Sequence, residues 1–343
     1  MKVSQFPDRI IEINNEEYLY FGGTAYLGLP THTEFQKLLI KNILQWGTAY
    51  GSSRSANIQL TAYEKGEQFL ANYIKADATL TLSSGMLAGK LVIEALTPET
   101  DCFFHFPDTH TAIKAQNSLP FFIGEKLNPR LLDNTTKKIT ILTDSVPSFH
   151  IKPIDLTIIN SIPYNKEITL VIDESHSLGI LGMNGCGIFS TINLPNIKRK
   201  IMVSSLGKAF GLTGGVIASD SEFINQMATH DTFVSSAGMN AAFVQTMADA
   251  DNIYLQQHQK LKDNLQYIDV NLIKNKAIHF DSNYPLIYPE IEGLNEIFTA
   301  NKIIVTNFKY PTDSKNLNRI VITANHQKED LDTIIHILNQ NQF

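Results

Sequence analysis

An aspartate and a lysine each follow an apolar run, and together they could hold an aldehyde cofactor. Asp173 ends the run in "TLVIDESHS", and Lys208 follows the run in "IMVSSLGKAFGLTGG". A lysine amine forms a Schiff base with pyridoxal phosphate, while a carboxylate keeps the pyridine nitrogen protonated. Four glycines near Lys208 let the backbone approach a ligand closely. The pair therefore predicts a pyridoxal-phosphate site with Lys208 as its reactive amine.

Two further polar residues near this pair suit the same cofactor. His176 lies three positions after Asp173 and could hydrogen-bond the phenolic oxygen of the ring. Ser205 lies three positions before Lys208 and could present its hydroxyl group to the phosphate. Taken singly, a lysine such as Lys208 is more often a solvated surface residue. An aspartate such as Asp173 is more often a helix cap, and a histidine such as His176 is more often a partly exposed side chain. Their occurrence together favours the cofactor site.

A turn of small residues predicts where the cofactor phosphate binds. Ser84, Gly85 and Met86 join the apolar segment "ATLTL" to the helical segment "MLAGKLVIEAL". Free backbone N–H groups at a helix N-terminus bind anions, and small residues permit close approach. An ordinary capped helix would show the same pattern, so this turn is moderately specific.

Two segments resemble motifs of nucleoside triphosphatases but depart from them. "LVIDESH" is similar to an acidic helicase box, and "GMLAGK" is similar to a phosphate loop. The glycines of the second segment are one residue too close, and Leu91 stands where a serine or threonine would hold magnesium. The sequence therefore disfavours a nucleotide-driven motor.

Composition indicates an ordinary globular protein. The chain has 343 residues, 43% hydrophobic and 18% charged, with a net charge of −6. An acidic chain without a basic face is not expected to bind nucleic acid. We expect a cytoplasmic protein for three reasons. The two cysteines do not form a motif of closely spaced pairs, no export signal is visible, and no apolar run is long enough to span a membrane.

Periodicity predicts helices early in the chain and alternating strands in the middle. Helical spacing covers about Thr33 to Trp46 and Thr61 to Ile74, and "IIEINNEEYLYF" reads as two strands with an Asn-Asn turn. A further helix is expected to begin near His110. The predicted strands of the middle region are "ATLTLSS", "DCFFHF", "FFIG", "KITILTD", "ITLVIDE", "KIMVSS" and "GGVIAS".

Near-continuous apolar strands are typical of a mostly parallel sheet that is buried on both faces. The sequence therefore predicts the α/β class, with a large cofactor-binding domain over residues 46–235. An N-terminal segment, residues 1–45, precedes it. A smaller C-terminal α+β domain is predicted over residues 236–343.

Several blocks in collinear order make the chain similar to the α-oxoamine synthases, a pyridoxal-phosphate family that includes 8-amino-7-oxononanoate synthase. The resemblance runs from about Tyr18 to the C-terminus. The blocks that carry it are "YLGL", "WGTAYGSSR", "SSGMLAG", "DTHTA", "TDSVPS", "DESHSLGILGMNGCG", "SSLGKAFGLTGG" and "RIVITANH". It implies aminotransferase fold type I, with a seven-stranded sheet, and a homodimer with its site at the subunit interface.

The resemblance also implies roles for individual residues. Lys208 resembles the Schiff-base lysine, Asp173 the partner of the pyridine nitrogen, and His176 the partner of the phenolic oxygen. His110 resembles a histidine that stacks on the ring. The remaining matched positions contact the cofactor, its phosphate or a substrate carboxylate, and they are Ser148, Ser84, Gly85, Met86, Ser205, Ser235 (or Ser236, from the partner subunit) and Arg319.

Departures from the family leave the reaction open between alternatives. Thr24, a candidate substrate contact, stands where many members have asparagine, Tyr63 replaces a frequent histidine, and the chain starts shortly before "YLGL". The first hypothesis is condensation of an amino acid with an acyl-CoA or acyl-carrier thioester, with decarboxylation to an α-aminoketone. The second is transamination or other α-carbon chemistry without CoA. The third is a cofactor-binding protein without catalysis, which the presence of the full set of candidate residues disfavours.

Overall fold

Alternating strands and helices make up most of the chain in a computed structural model, which describes residues 1–135, 137–308 and 317–341. The helices are α1 Thr33–Trp46, α2 Thr61–Ile74, α3 Gly85–Leu96, α4 Ser221–Thr229, α5 Asp231–Ser235, α6 Ala241–Asp249, α7 Asp251–Asn271, α8 Leu294–Ala300 and α9 Lys328–Gln340. The strands are β1 Ile10–Ile13, β2 Glu16–Phe21, β3 Ala78–Leu82, β4 Cys102–His105, β5 Leu119–Pro120, β6 Phe122–Ile123, β7 Lys126–Leu127, β8 Lys138–Asp144, β9 Glu167–Asp173, β10 Ile197–Ser205, β11 Gly215–Ser219, β12 Ile278–Phe280, β13 Leu286–Pro289, β14 Ile303–Phe308 and β15 Leu317–Val321.

A seven-stranded sheet forms the centre of the fold, in the order β3-β11-β10-β9-β8-β4-β5. Strands β10, β9, β8, β4 and β5 run parallel, while β11 is antiparallel to both of its neighbours. Two buried apolar clusters contain residues of the central strands, as burial on both faces requires. The predicted α/β class with a mostly parallel seven-stranded sheet is confirmed.

A second, six-stranded sheet joins the two ends of the chain. Its order is β1-β2-β14-β15-β13-β12, and β2 runs parallel to β14. The N-terminal strands thus belong to the same sheet as the C-terminal ones. The domain boundaries at residues 45 and 235 stay a prediction.

Local patterns account for the N-terminal elements. Helices α1 and α2 begin and end where the periodicity predicts. In the hairpin of β1 and β2, Asn14 and Asn15 have φ angles of 53° and 62°, a left-handed conformation that asparagine tolerates well. Within the described ranges, no helix combines the length and the apolar character needed to cross a membrane.

Two local predictions are wrong. The segment "FFIG" contains the predicted strand, β6, but this strand does not enter the seven-stranded sheet, because β6 pairs with β7 in a separate hairpin and β5 takes the edge next to β4. No helix begins at His110, where a turn closes from Lys114 N to the His110 carbonyl oxygen at 3.2 Å. The chain must return to pair with β4 by Leu119, so a single turn replaces the helix.

The carboxyl ends of the central strands collect polar residues at one edge of the sheet. Asp144 ends β8, Asp173 ends β9 and Ser205 ends β10. The register pairs Asp144 directly with Asp173, and Asp173 with Val203 of β10. Because these strands are parallel, the aspartates lie side by side where open α/β sheets bind ligands.

A buried histidine predicts acid sensitivity of the fold. His326 is 4% exposed and stacks on Phe21 with a centroid distance of 4.2 Å. Its Nδ1 accepts from Thr323 N at 2.9 Å, and its Nε2 donates to the Tyr20 carbonyl oxygen at 3.1 Å. This arrangement suits the neutral ring, and burial lowers the pKa of His326 from 6.5 to about 4.

The unfolded chain therefore takes up a proton near pH 6.5 at His326, whereas the folded chain does so only near pH 4. Stability from this residue is present above pH 6.5 and is lost as the pH falls toward 4, by about 3 kcal/mol. We expect His326→Gln, which keeps one donor and one acceptor, to flatten this part of the pH profile in urea denaturation. The control is His279→Gln, which changes an exposed histidine and should leave the pH profile of stability as in the parent. A pH profile in His326→Gln that matches the parent would contradict the prediction.

Candidate active site

A cavity of about 270 Å³ opens at the carboxyl edge of the seven-stranded sheet. Both sheets contribute to its wall. Its lining residues are Thr24, His110, Asp144, Ser148, Phe149, Asp173, Ser175, His176, Lys208, Tyr288 and Arg319. The structure thus brings Lys208, Asp173, His176 and Arg319 together, although they are widely separated in the sequence.

The loop after β10 positions Lys208. Leu206 donates its backbone N–H to the Gly214 carbonyl oxygen at 3.0 Å, and Gly211 donates to the Lys208 carbonyl oxygen at 3.1 Å. Gly211 has a φ of 69°, in the left-handed region that favours glycine. Its missing side chain also matters, because an added Cβ would lie 2.8 Å from Leu29 Cβ. This closed loop fixes where the lysine enters the cavity.

The surroundings of Lys208 favour its neutral amine. Burial lowers the pKa of Lys208, and the Arg319 guanidinium acts in the same direction. The carboxylates of Asp173 and Asp144 oppose this shift. A neutral amine is the form that attacks a carbonyl carbon or removes a proton.

A chain of hydrogen-bonded groups connects Lys208 to the core. Lys208 Nζ lies 3.1 Å from His176 Nε2, and His176 Nδ1 lies 2.9 Å from the Tyr26 hydroxyl. Burial holds the pKa of His176 well below its ordinary value, and the Lys208 and Arg319 charges add to this. Burial likewise raises the pKa of Tyr26, which is fully buried. His176 is therefore a neutral imidazole between a phenol and an amine.

Two neighbouring carboxyl groups form the floor of the cavity. Asp173 is 7% exposed and its Oδ1 accepts from Ser175 N at 2.8 Å. Asp144 is 6% exposed and its Oδ1 accepts from His110 N at 3.1 Å. Burial raises the pKa of Asp144 well above its ordinary value, and the Asp173 charge raises it further. Asp144 therefore holds a proton more readily than an exposed aspartate does.

The predicted phosphate-binding residues lie beside the cavity. Ser84 caps α3 by accepting from Leu87 N at 3.1 Å. A Cβ added at Gly85 would lie 2.9 Å from the backbone of Ser205, so only glycine allows this approach. Ser205 N in turn donates to Oγ of Ser175, a lining residue, at 2.8 Å. This cradle of small residues at a helix N-terminus fits a phosphate group.

The other predicted residues fall into two groups. Thr24, Ser148 and Arg319 line the cavity, as does His110, whose side chain is exposed. Met86 is exposed in the first turn of α3. Ser235 ends α5, is also exposed, and does not line the cavity.

Several functional candidates were missed from the sequence. Asp144 ends "KITILTD" just as Asp173 ends "ITLVID", so a signal for it was present. Tyr26 and Ser175 lie within blocks of the resemblance. Phe149 and Tyr288 carry no sequence signal, because only folding brings their rings to one cavity, with centroids 6.2 Å apart.

Sequence comparison places the chain among known proteins. A sequence model described as aminotransferase class I and II matches residues 150–338, more than half of the chain. An 8-amino-7-oxononanoate synthase from Petrotoga mobilis is 29% identical, covering 94% of this chain and 88% of the relative. One from Thermoanaerobacter pseudethanolicus is 28% identical, covering 94% and 87%. The predicted resemblance to the α-oxoamine synthases is confirmed.

Solved structures share the fold. A serine palmitoyltransferase from S. paucimobilis superposes with a TM-score of 0.81 at 16% identity, covering 99% of this chain and 91% of that chain. An 8-amino-7-oxononanoate synthase from Francisella tularensis superposes with a TM-score of 0.68 at 21% identity, covering 94% and 97%. At such identities the likeness concerns the fold, and it confirms the predicted aminotransferase type.

Proposed function

The chain belongs to the aminotransferase class I and II family, and from that premise we propose that it is a pyridoxal-phosphate-dependent acyltransferase of the α-oxoamine synthase type. It condenses an amino acid with an acyl-CoA or acyl-carrier thioester, releases carbon dioxide and the free thiol, and forms an α-aminoketone. The observation that carries the proposal is the meeting of Lys208, Asp173, His176 and Arg319 at one cavity. Relatives named 8-amino-7-oxononanoate synthase, which align with 94% of the chain, support it.

The residues at the cavity fit pyridoxal phosphate. When bound, this cofactor supplies an aldehyde for linkage to amines and a ring that withdraws electrons from the amino-acid α-carbon. Lys208 would bind the aldehyde carbon, and Asp173 would hold the proton on the pyridine nitrogen. His176 would donate to the phenolic oxygen, and His110 would stack on the ring.

The phosphate would be held by residues at the start of α3 and at the end of β10, namely Ser84, Gly85, Met86 and Ser205. Ser148 would lie beside the ring.

Proton transfer is assigned to Lys208. With its amine free, the neutral Nζ would act as the general base that removes the α-proton of the amino acid. The lowered pKa of Lys208, caused first by burial, keeps the amine in the basic form at lower pH than an exposed lysine. His176, a neutral imidazole 3.1 Å from Nζ, orients that amine without adding a competing charge.

Substrate orientation is assigned to the far wall of the cavity. Arg319 lies in β15, with Thr306 of β14 opposite it in the register, and it lines the cavity. A planar guanidinium binds a carboxylate through two parallel hydrogen bonds. Arg319 would therefore bind the amino-acid carboxylate, with Thr24 contributing a hydroxyl group nearby.

Product analysis distinguishes this reaction from transamination. We expect the holoenzyme, incubated with glycine, L-alanine or L-serine and a panel of acyl-CoAs, to release free CoA and carbon dioxide only when both substrates are present. Mass spectrometry of the mixture should then show the α-aminoketone. Formation of a keto acid from the amino acid alone would contradict the proposal and favour an aminotransferase.

The active unit is expected to be a homodimer in which the partner subunit completes the site. The likeness to the α-oxoamine synthases supports this proposal. Ser235, which lies outside the cavity of its own chain, would reach the phosphate from the partner subunit.

A cytoplasmic location is also proposed. Cys102 and Cys186 are free and buried. Thiols that stay unpaired are typical of a reducing compartment.

A further inference from the structure

Phe149 adopts a backbone conformation that phenylalanine normally avoids. It occupies the third position of a turn closed by a hydrogen bond from His150 N to the Pro147 carbonyl oxygen at 3.1 Å. Its φ is 69°, and a positive φ at this position favours glycine or asparagine. Backbone conformations of this kind cluster at active sites and ligand-contacting segments.

The side chain of Phe149 stands at the cavity. Its ring lies 6.2 Å from that of Tyr288, with an angle of 58° between the ring planes. Phe149 is 36% exposed and Tyr288 is 6% exposed, so the pair reaches from the buried wall to the surface. Among the described residues that line the cavity, Phe149 is the one hydrocarbon side chain.

Space in this cavity is limited. Its volume of about 270 Å³ lies at or below the lower end of the usual range for small-molecule sites. If the cofactor binds as proposed, its pyridine ring would share this volume with the carboxylate and the side chain of the substrate. A rigid aromatic wall at that point therefore restricts the side chain.

We propose that Phe149, held against Tyr288 by its strained turn, sets an upper limit on the size of the side chain of the amino-acid substrate. The inference rests on the proposed function, because it assumes that an amino acid binds here. In a cavity of this size, a longer substrate side chain would compete with the Phe149 ring for space. Each methylene group that a pocket rejects changes relative binding by roughly tenfold or more.

Amino-acid binding to variants of the holoenzyme tests the proposal. Phe149→Gly removes the wall and relieves the strain, and Phe149→Leu removes part of the wall while keeping the fold if glycine proves too disruptive. Dissociation constants for L-alanine and L-leucine are measured from the visible absorbance of the bound cofactor, with no thioester present. We expect the leucine-to-alanine ratio of dissociation constants to fall at least tenfold in Phe149→Gly and by a smaller factor in Phe149→Leu.

A matched control separates the role of the ring from relief of strain. Lys75 also has a positive φ, 63°, at the end of α2, and it lies outside the lining of this cavity. Lys75→Gly and Phe149→Gly should both keep or raise the melting temperature, but only Phe149→Gly should change the amino-acid preference. A purely structural role for Phe149 predicts a lower melting temperature and an unchanged preference.

Other results would overturn the inference. A ratio that changes by less than threefold in both Phe149 variants contradicts it. So does a change confined to the range of acyl thioesters, since the ring would then face the acyl group. Because the titration omits the thioester, a parent enzyme that binds amino acids but makes no aminoketone contradicts the proposed function and leaves this inference standing.

Discussion

Replacement of Lys208 by alanine is expected to lower turnover by about three orders of magnitude and to remove the covalent link to the cofactor. Lys208 is the lysine at the cavity, and its amine lies 3.1 Å from His176 Nε2. Loss of this amine removes both the attachment point and the base for the α-proton. External amines do not replace it well, because a base fixed by the loop after β10 acts at a high effective concentration.

The covalent link can be measured without turnover. Borohydride reduction of the holoenzyme, followed by peptide mass spectrometry, should place the cofactor on the peptide that contains Lys208. Lys114→Ala, which changes an exposed lysine outside the cavity lining, is the matched control and should label like the parent. Labelling of Lys208→Ala at the level of the parent would disprove the assignment.

Replacement of Asp173 by asparagine is expected to slow removal of the α-proton on the order of a hundredfold, because a preorganised charge is lost from the site. The buried carboxylate would no longer keep the pyridine nitrogen protonated, so the ring would withdraw electrons less strongly. Cofactor retention should suffer less, since the phosphate and Lys208 contacts remain. The rate of α-proton exchange into deuterated water, followed by NMR, measures this effect directly.

Asp144→Asn gives the informative contrast, because it changes the neighbouring carboxyl group in the same way. Burial and the Asp173 charge raise the pKa of Asp144, so a neutral amide there resembles the protonated side chain. We expect a clearly smaller loss of exchange rate than in Asp173→Asn. Equal exchange rates in Asp173→Asn and the parent would contradict the role of Asp173, and equal losses in both variants would contradict the division of roles.

Regular local elements were predictable because each depends on residues within a few positions. Helices α1 and α2 follow from apolar spacing, and the Asn14–Asn15 turn follows from the tolerance of asparagine for positive φ. The strand ends that carry Asp173 and Ser205 were also visible as apolar runs that stop at polar residues.

Predictions failed where distant pairing decides the local conformation. Phe122 and Ile123 are apolar enough for the main sheet, yet β5 occupies the edge position and leaves them in a hairpin. The segment after His110 contains helix-forming residues, but the chain must reach β4 within a few positions. Neither constraint is visible in the segment itself.

The sequence by itself determined the class of the fold, the cofactor and the residues whose chemistry requires one another, because residue type and local spacing carry that information. The tertiary structure alone decided which groups meet. Tyr26 and His176 are 150 positions apart, and their hydrogen bond exists only because the N-terminal segment packs against the carboxyl edge of the sheet. Phe149 and Tyr288 likewise share one cavity wall. Contacts of this kind depend on strand order and side-chain packing between remote segments, which no local pattern records.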